Sequence, residues 1–296
     1  MDSKSASCFS RRAKLSLACL FALVLAACST LRLGYNHADA MLAWSLDSYL
    51  DLDSSQQALV KERSARLLAW HRQTQLPEYS RWLAAARGDI GRPVSVVEVG
   101  EFQQRLRGSM LALGDEAAPD LAALALSLRP AQLQHLRERL ARDQRKARRE
   151  LESAGPEAQY KQTVERAEDW FGPLSREQRA ALAKLHAELQ IDPGAWLEER
   201  ERRSNELLTL LERVVSKRPP AAEVERDFRA LFATWMNPPE PARRALSERW
   251  RQHSADVIAG LLRQASPTQR AHLARRLADY EEDFGQLAAQ SGPRRG

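Results

Sequence analysis

The chain has 296 residues, 44% of them hydrophobic, which is enough to bury a core and excludes an unfolded chain. Ala, Leu, Arg, Glu and Gln dominate and aromatics make up only 6%, a composition of long helices and not of a sheet rich in Val, Ile and Thr. The formal charge of +6 includes +3 from the first 27 residues (Lys4, Arg11, Arg12 and Lys14 against Asp2); the remaining 6 − 3 = +3 is mixed evenly with acids, which excludes a nucleic-acid footprint on charge.

The chain begins with a targeting pattern. Arg11, Arg12 and Lys14 precede an apolar run of 13 residues, Leu15 to Ala27. That is shorter than the roughly 20 residues a membrane-spanning helix needs, and it fits the core of a signal peptide. The run ends Leu25-Ala26-Ala27-Cys28, which resembles the lipobox of bacterial lipoproteins: a branched apolar residue, two small ones for the peptidase, then the cysteine that receives diacylglycerol. The expectation is removal of residues 1–27 and lipidation of Cys28 with a diacylglycerol and an N-acyl chain. Cys8 and Cys19 fall inside the removed segment, so no intramolecular disulfide is expected. Ser29, where an Asp usually marks inner-membrane retention, implies by the same resemblance the periplasmic face of the outer membrane. Residues 28–34 read as a short tether, 35–290 as one helical periplasmic domain and 291–296 as a tail.

Behind the tether, Tyr35, Leu42, Leu46, Tyr49 and Leu50 recur near helical spacing. Residues 54–87 predict one long helix or two broken at Pro77, and 88–93 a turn. Further helices are predicted over 95–112, 116–127, 130–153, 156–170, 175–190, 194–216, 221–236, 240–264 and 267–289, with Gly or Pro at most junctions, such as Gly114, Gly155, Gly172-Pro173 and Pro238-Pro239. The fold class is all-α, an elongated array of antiparallel helices and helical hairpins.

Four segments resemble one another: Leu52 to Leu59, Leu128 to Leu136, Leu174 to Leu182 and Ala265 to Leu273. Gln132, Gln178 and Gln269 recur in them after 178 − 132 = 46 and 269 − 178 = 91 residues. Duplicated hairpins would produce this. So would helix capping, since Ser175-x-x-Gln178 and Ser266-x-x-Gln269 are capping boxes and Pro130 and Pro267 stand at first helical positions.

Residues that carry chemistry are sparse. His37 and Asp39, with Asp47, Asp51 and Asp53, read as a surface cluster and not a metal site, because no second histidine stands at ligand spacing. No nucleophile elbow and no phosphate loop is present, and Glu198-Glu199 and Glu281-Glu282-Asp283 lie in charged helix faces, so neither enzyme activity nor a cofactor is expected. The densest charge is Arg137, Arg139, Arg142, Arg145, Lys146, Arg148 and Arg149 against Glu138 and Asp143. It reads as a solvated face or as a contact for anionic headgroups. Seven tryptophans occur about once per helix. Core packing accounts for most of them, whereas one or two at an exposed groove would mark a binding surface.

The run Leu31-Arg32-Leu33-Gly34-Tyr35-Asn36-His37-Ala38-Asp39, with Trp44, Leu46-Asp47, Tyr49, Asp51-Leu52, Trp70-His71 and Leu76-Pro77-Glu78-Tyr79, resembles an uncharacterised family of proteobacterial lipoproteins. The likeness covers most of the chain, is sharpest over residues 28–82, and implies location and fold without an activity. The Leu-Ser-x-x-Gln segments also resemble the Leu-Thr-x-x-Gln motif of small periplasmic stress chaperones and the helical scaffold of lipase-specific foldases. The expectation is a non-enzymatic envelope lipoprotein that binds protein as a scaffold, assembly factor or chaperone. The alternatives are a module for anionic envelope lipid or glycan and, third, an enzyme with an unrecognised site.

Overall fold

A computed structural model describes residues 31–154, 156–188 and 193–290, all-α and without strands among them. The predicted cleavage motif Leu25 to Ala27, the lipidation site Cys28 and the tail 291–296 lie outside the described residues. Of the expected tether, residues 31–34 are already helical, within a stretch covering 31–36. Eleven helices follow: α1 (Ala38–Leu50), α2 (Ser54–Thr74), α3 (Leu76–Asp89), α4 (Val96–Ser127), α5 (Pro130–Ala154), α6 (Pro156–Phe171), α7 (Arg176–Glu188), α8 (Pro193–Lys217), α9 (Ala221–Met236), α10 (Pro241–Gln264) and α11 (Pro267–Ala289).

Pro77, Pro130, Pro241 and Pro267 each stand in the first turn of a helix, where a missing N–H costs nothing and a fixed φ helps. One predicted break is absent. Instead of helices over 95–112 and 116–127, α4 runs unbroken for 32 residues through Gly114 and Pro119, about 48 Å at 1.5 Å per residue. Gly114 is a point of close approach: a Cβ there would lie 2.9 Å from Cδ2 of Phe232 on α9. Pro119 is flanked by Ala118 and Ala122, both fully buried, so packing against α9 offsets the lost helical hydrogen bond.

Two large apolar cores lie at opposite ends of the helical array. The first gathers Leu50, Val60, Ala118, Ala122, Leu136, Val214, Val224 and Phe228 from α1, α2, α4, α5, α8 and α9. The second gathers Ala167, Phe171, Leu182, Leu261, Leu273 and Leu277 from α6, α7, α10 and α11, joined by Ile90 after α3. A small cluster of Val99, Ala255 and Ala259 fixes the start of α4 to α10. Fully burying one such Leu or Phe contributes roughly 1.5–3 kcal/mol, so each end carries its own stabilisation. α4, α5, α8 and α10 run between them.

Candidate functional site

The four glutamines of the sequence repeat meet in two pairs. Gln56 on α2 and Gln132 on α5 exchange hydrogen bonds, Gln56 Nε2 donating to Gln132 Oε1 at 3.2 Å and Gln132 Nε2 to Gln56 Oε1 at 2.7 Å. Gln178 on α7 and Gln269 on α11 do the same, at 2.9 Å in both directions. Each Oε1 also accepts the backbone N–H three residues earlier, of Asp53, Arg129, Ser175 and Ser266. Each Nε2 donates to a carbonyl five residues before its partner glutamine: Gln56 to Ser127, Gln132 to Asp51, Gln178 to Gln264 and Gln269 to Pro173. All four side chains are buried. Capping therefore explains the spacing within each segment, and the reciprocal clasp is an additional, repeated contact between helix starts.

Between the clasped ends lies a cavity of about 1570 Å³, walled by α3, α4, α6, α10 and α11 and by the facing ends of α5, α7 and α8. It exceeds the roughly 300–1,000 Å³ of small-molecule sites. Trp82, Phe102, Trp170, Trp196, Trp250 and Ile258 line it. Trp170, Trp196, Trp250 and Ile258 are 36%, 56%, 39% and 37% exposed, so four of the eleven exposed large hydrophobics among the described residues face one space, while the others, Trp44 among them, lie outside it. Two of the tryptophans are held in place: Trp170 stacks on Tyr280 with centroids 5.5 Å apart, and Trp82 meets Phe102 edge-on at 6.3 Å. Trp196 carries Arg200 over its ring at 5.8 Å. His253 of α10 and His186 of α7 also reach the cavity; burial and then the charge of His186 pull the pKa of His253 below the usual histidine value, against the opposing Asp256.

The charged groups of the wall balance in number, Arg92, Arg105, Arg166 and Arg200 against Asp89, Glu98, Glu101 and Glu150. Arg92 bonds Asp89 and Glu98, and Glu150 pairs with Lys146. Arg105, Arg166 and Arg200 line the cavity and form no ion pair among the described residues, Arg105 standing one helical turn after Glu101 on α4.

A chain of aromatic rings links this space to the first described residues. Trp82 meets Tyr79, Tyr79 meets His71 and Phe284, and His71 meets Tyr35, with centroids 5.4–5.9 Å apart. The Tyr35 hydroxyl and His71 Nδ1 share a hydrogen bond of 2.7 Å; burial pushes the Tyr35 pKa up to about 12, with Arg72 opposing, and lowers that of His71. Arg32 bonds Asp283 at 3.0 Å and also reaches Gln286, so residues 31–36 are seated on α11 and α2.

Residues 48–232, well over half of the chain, match the sequence family DUF6279. The chain belongs to DUF6279, a family of unknown function. Comparison with curated proteins and with solved structures returns no match. The DUF6279 match takes in the Gln56–Gln132 clasp and Trp82, Trp170 and Trp196, and stops before Trp250 and Gln269.

The other residues singled out in the sequence fall elsewhere. Asp53 caps α2 through Ser55 and Gln56, Asp47 accepts the N–H of Leu52, and Asp51 takes a left-handed turn at φ 49°. No group of three His, Cys, Asp or Glu among the described residues is placed to hold a metal ion. In the basic stretch of α5, Arg137 pairs with Glu212, Arg139 with Asp143, Arg142 with Glu138, Lys146 with Glu150 and Arg148 with Glu201. Arg145 and Arg149 have no such partner among the described residues. Arg105, Arg166 and Arg200 were invisible as a group in the sequence, where each sits in an ordinary mixed-charge helix. Trp170 and Trp196, at opposite sides of helix junctions, carried the only signal, that of a large aromatic next to a break.

Proposed function

We propose that this DUF6279 member is an envelope lipoprotein, anchored through lipid on Cys28 after removal of residues 1–27, that holds apolar segments of client proteins in its central cavity. The convergence of Trp170, Trp196 and Trp250, all partly exposed around one space too large for an ordinary cofactor, carries the reading. A folded protein that leaves this much aromatic surface uncovered forgoes burial energy it would gain by closing, and recovers it when a partner enters. The role is that of a non-enzymatic assembly factor or chaperone at the periplasmic face of the outer membrane. An anionic-lipid contact at 137–149 is less favoured, because five of its seven cations already have acidic neighbours.

Suppression of aggregation of an unfolding client by the full chain in nanodiscs tests the binding. The triple variant Trp170→Ala, Trp196→Ala, Trp250→Ala is expected to lose most of the suppression while keeping its helical content. Undiminished suppression by the variant would remove the cavity from the mechanism. For the anchor, Cys28→Ser should release the protein from membrane fractions, and retention there would count against lipidation.

A further inference from the structure

We infer that the outer side of α1, with the helical stretch before it, is a membrane-contact site that seats in the headgroup region of the bilayer with Trp44 at its centre. The inference rests on the anchor reading of Cys28 and adds a second, non-covalent contact whose loss can be told from loss of the lipid.

The site starts from a helix that is apolar on two sides. Ala43, Leu46, Tyr49 and Leu50 of α1 pack into the first core, and the helix leans on α2 and α5. Met41 and Trp44, three residues apart, stand on the opposite side, with Leu42 on the flank. Leu33, Met41 and Trp44 are 59%, 61% and 75% exposed. With Leu42, they place four of the eleven exposed large hydrophobics within residues 33–44, and Trp44 is the most exposed of the eleven. Its ring forms no hydrogen bond and meets no other ring among the described residues. A helix apolar all round is ordinarily covered all round. Here protein covers one side.

The occupant follows from position, charge and residue type. Leu33 stands 33 − 28 = 5 residues after Cys28, so with lipid on that cysteine the uncovered side begins beside the bilayer. From Leu33 to Leu46 there is no Lys or Arg and a single carboxylate, Asp39, in a chain of which 28% is charged. Entry into the headgroup layer therefore strips water from few charges. Tryptophan suits that layer, because its ring is apolar while its N–H still finds a partner where water remains. The contact lies along the membrane and does not cross it: the 13 residues of α1 span about 20 Å against a hydrocarbon core of about 30 Å, and no helix among the described residues is long and apolar enough to cross. A helix lying in this way sinks its apolar side roughly 5–10 Å into the boundary between headgroups and acyl chains.

The test uses the full chain, processed in cells and reconstituted into phosphatidylcholine nanodiscs with or without bromine on the acyl chains, a quencher that reaches only tryptophans in contact with lipid. The Trp44 signal is the difference in fluorescence between the unmodified protein and Trp44→Phe, and mass spectrometry reads the lipid on Cys28 separately. Bromine should lower that signal at least twofold, and aqueous iodide should leave it nearly unchanged. The double variant Met41→Ser, Leu42→Ser, which keeps Trp44, should recover part of the signal and open it to iodide; circular dichroism checks that both variants keep their helices. A lipidated chain whose Trp44 is quenched by iodide and not by bromine would overturn the contact and leave the anchor intact. Protection from both quenchers would overturn it in favour of protein cover, by a second copy where two chains share a disc or by the leader where residues 1–27 are retained. A chain cut after Ala27 but without lipid on Cys28, whose Trp44 is still quenched in brominated discs, would bring down the anchor and uphold the contact.

Discussion

The two clasped ends use one device in different surroundings. At the first, Gln56 and Gln132 close a core supplied by six helices, and His135 reaches the carbonyl of Ser48 at 3.3 Å. At the second, Gln178 and Gln269 repeat the bonding, and His272 reaches the carbonyl of Asp169, also at 3.3 Å. The correspondence extends along the chain: Ser127 and Gln264, Gln132 and Gln269, and His135 and His272 are all offset by 137 residues (264 − 127, 269 − 132, 272 − 135). What differs is the continuation. The cavity is lined by side chains of the second core, Phe171, Leu261, Leu273 and Leu277 among them, and by none of the first, although α4, α5 and α8 run on from the first core to reach it. The clasp thus fixes where helices start, and the side chains farther along decide whether the space between them is filled.

The largest predicted effect breaks one clasp at a time. Gln132→Leu leaves the Gln56 amide and the carbonyls of Leu50 and Asp51 without their buried partner. The loss is expected at about 3 kcal/mol, with a melting temperature about 5–10 °C lower. Gln178→Leu should cost a similar amount. Calorimetry that finds one variant costly and the other neutral would show that the two ends share geometry but not energetic weight.

The turns before the clasps offer a smaller contrast. Gly172 follows α6 with φ 77°, a left-handed conformation natural to glycine, while Asp51 holds the same region after α1 at φ 49°. Gly172→Ala should destabilise by about 1 kcal/mol and Asp51→Gly should stabilise by up to about that amount, measured by denaturant titration. Opposite signs are the point. A loss for Asp51→Gly would mean that the Asp51 side chain does more than occupy the turn.

Smaller still is the effect of the cavity wall on stability. Trp196→Ala is expected to move the unfolding free energy by less than about 0.5 kcal/mol, because the ring is 56% exposed, while weakening client binding several-fold. A loss above about 2 kcal/mol would place Trp196 in the stabilising core.

The least effect concerns the capping box of α4, outside both clasps. Hydrogen bonds from Arg92, then from Ser95, hold Glu98 at a pKa of about 2, below its ordinary 4.5. A carboxylate with a depressed folded pKa contributes stability above pH 4.5 that is lost as pH falls towards 2. Being solvent-exposed, it contributes little. The stability gap between wild type and Glu98→Gln should close over that window; a gap independent of pH would assign the effect to helix capping alone.

Element boundaries were legible because Pro and Gly mark most of them, and Pro77, Pro130 and Pro267 stand where their chemistry put them. Gly114 and Pro119 misled for a physical reason: a glycine chosen for close approach to Phe232 and a proline outweighed by packing look like breakers when only local propensity is read. The glutamine clasps were half legible. Their caps are three residues long, but their pairing spans 132 − 56 = 76 and 269 − 178 = 91 residues, which no local pattern encodes. The cavity was least legible, since a tryptophan with leucines one turn away reads the same whether its far side meets a neighbour or open space.

The seating of residues 31–36 has a mechanical consequence. Three peptide units from Cys28 to residue 31 extend about 10 Å at most, and from there Arg32, Tyr35 and Asn36 are bonded to Asp283, His71 and Arg72. Were Cys28 lipidated as proposed, this seating would limit how far the ends of α2 and α11 that hold residues 31–36 could stand from the bilayer, a leash set by three residues and not by a long linker.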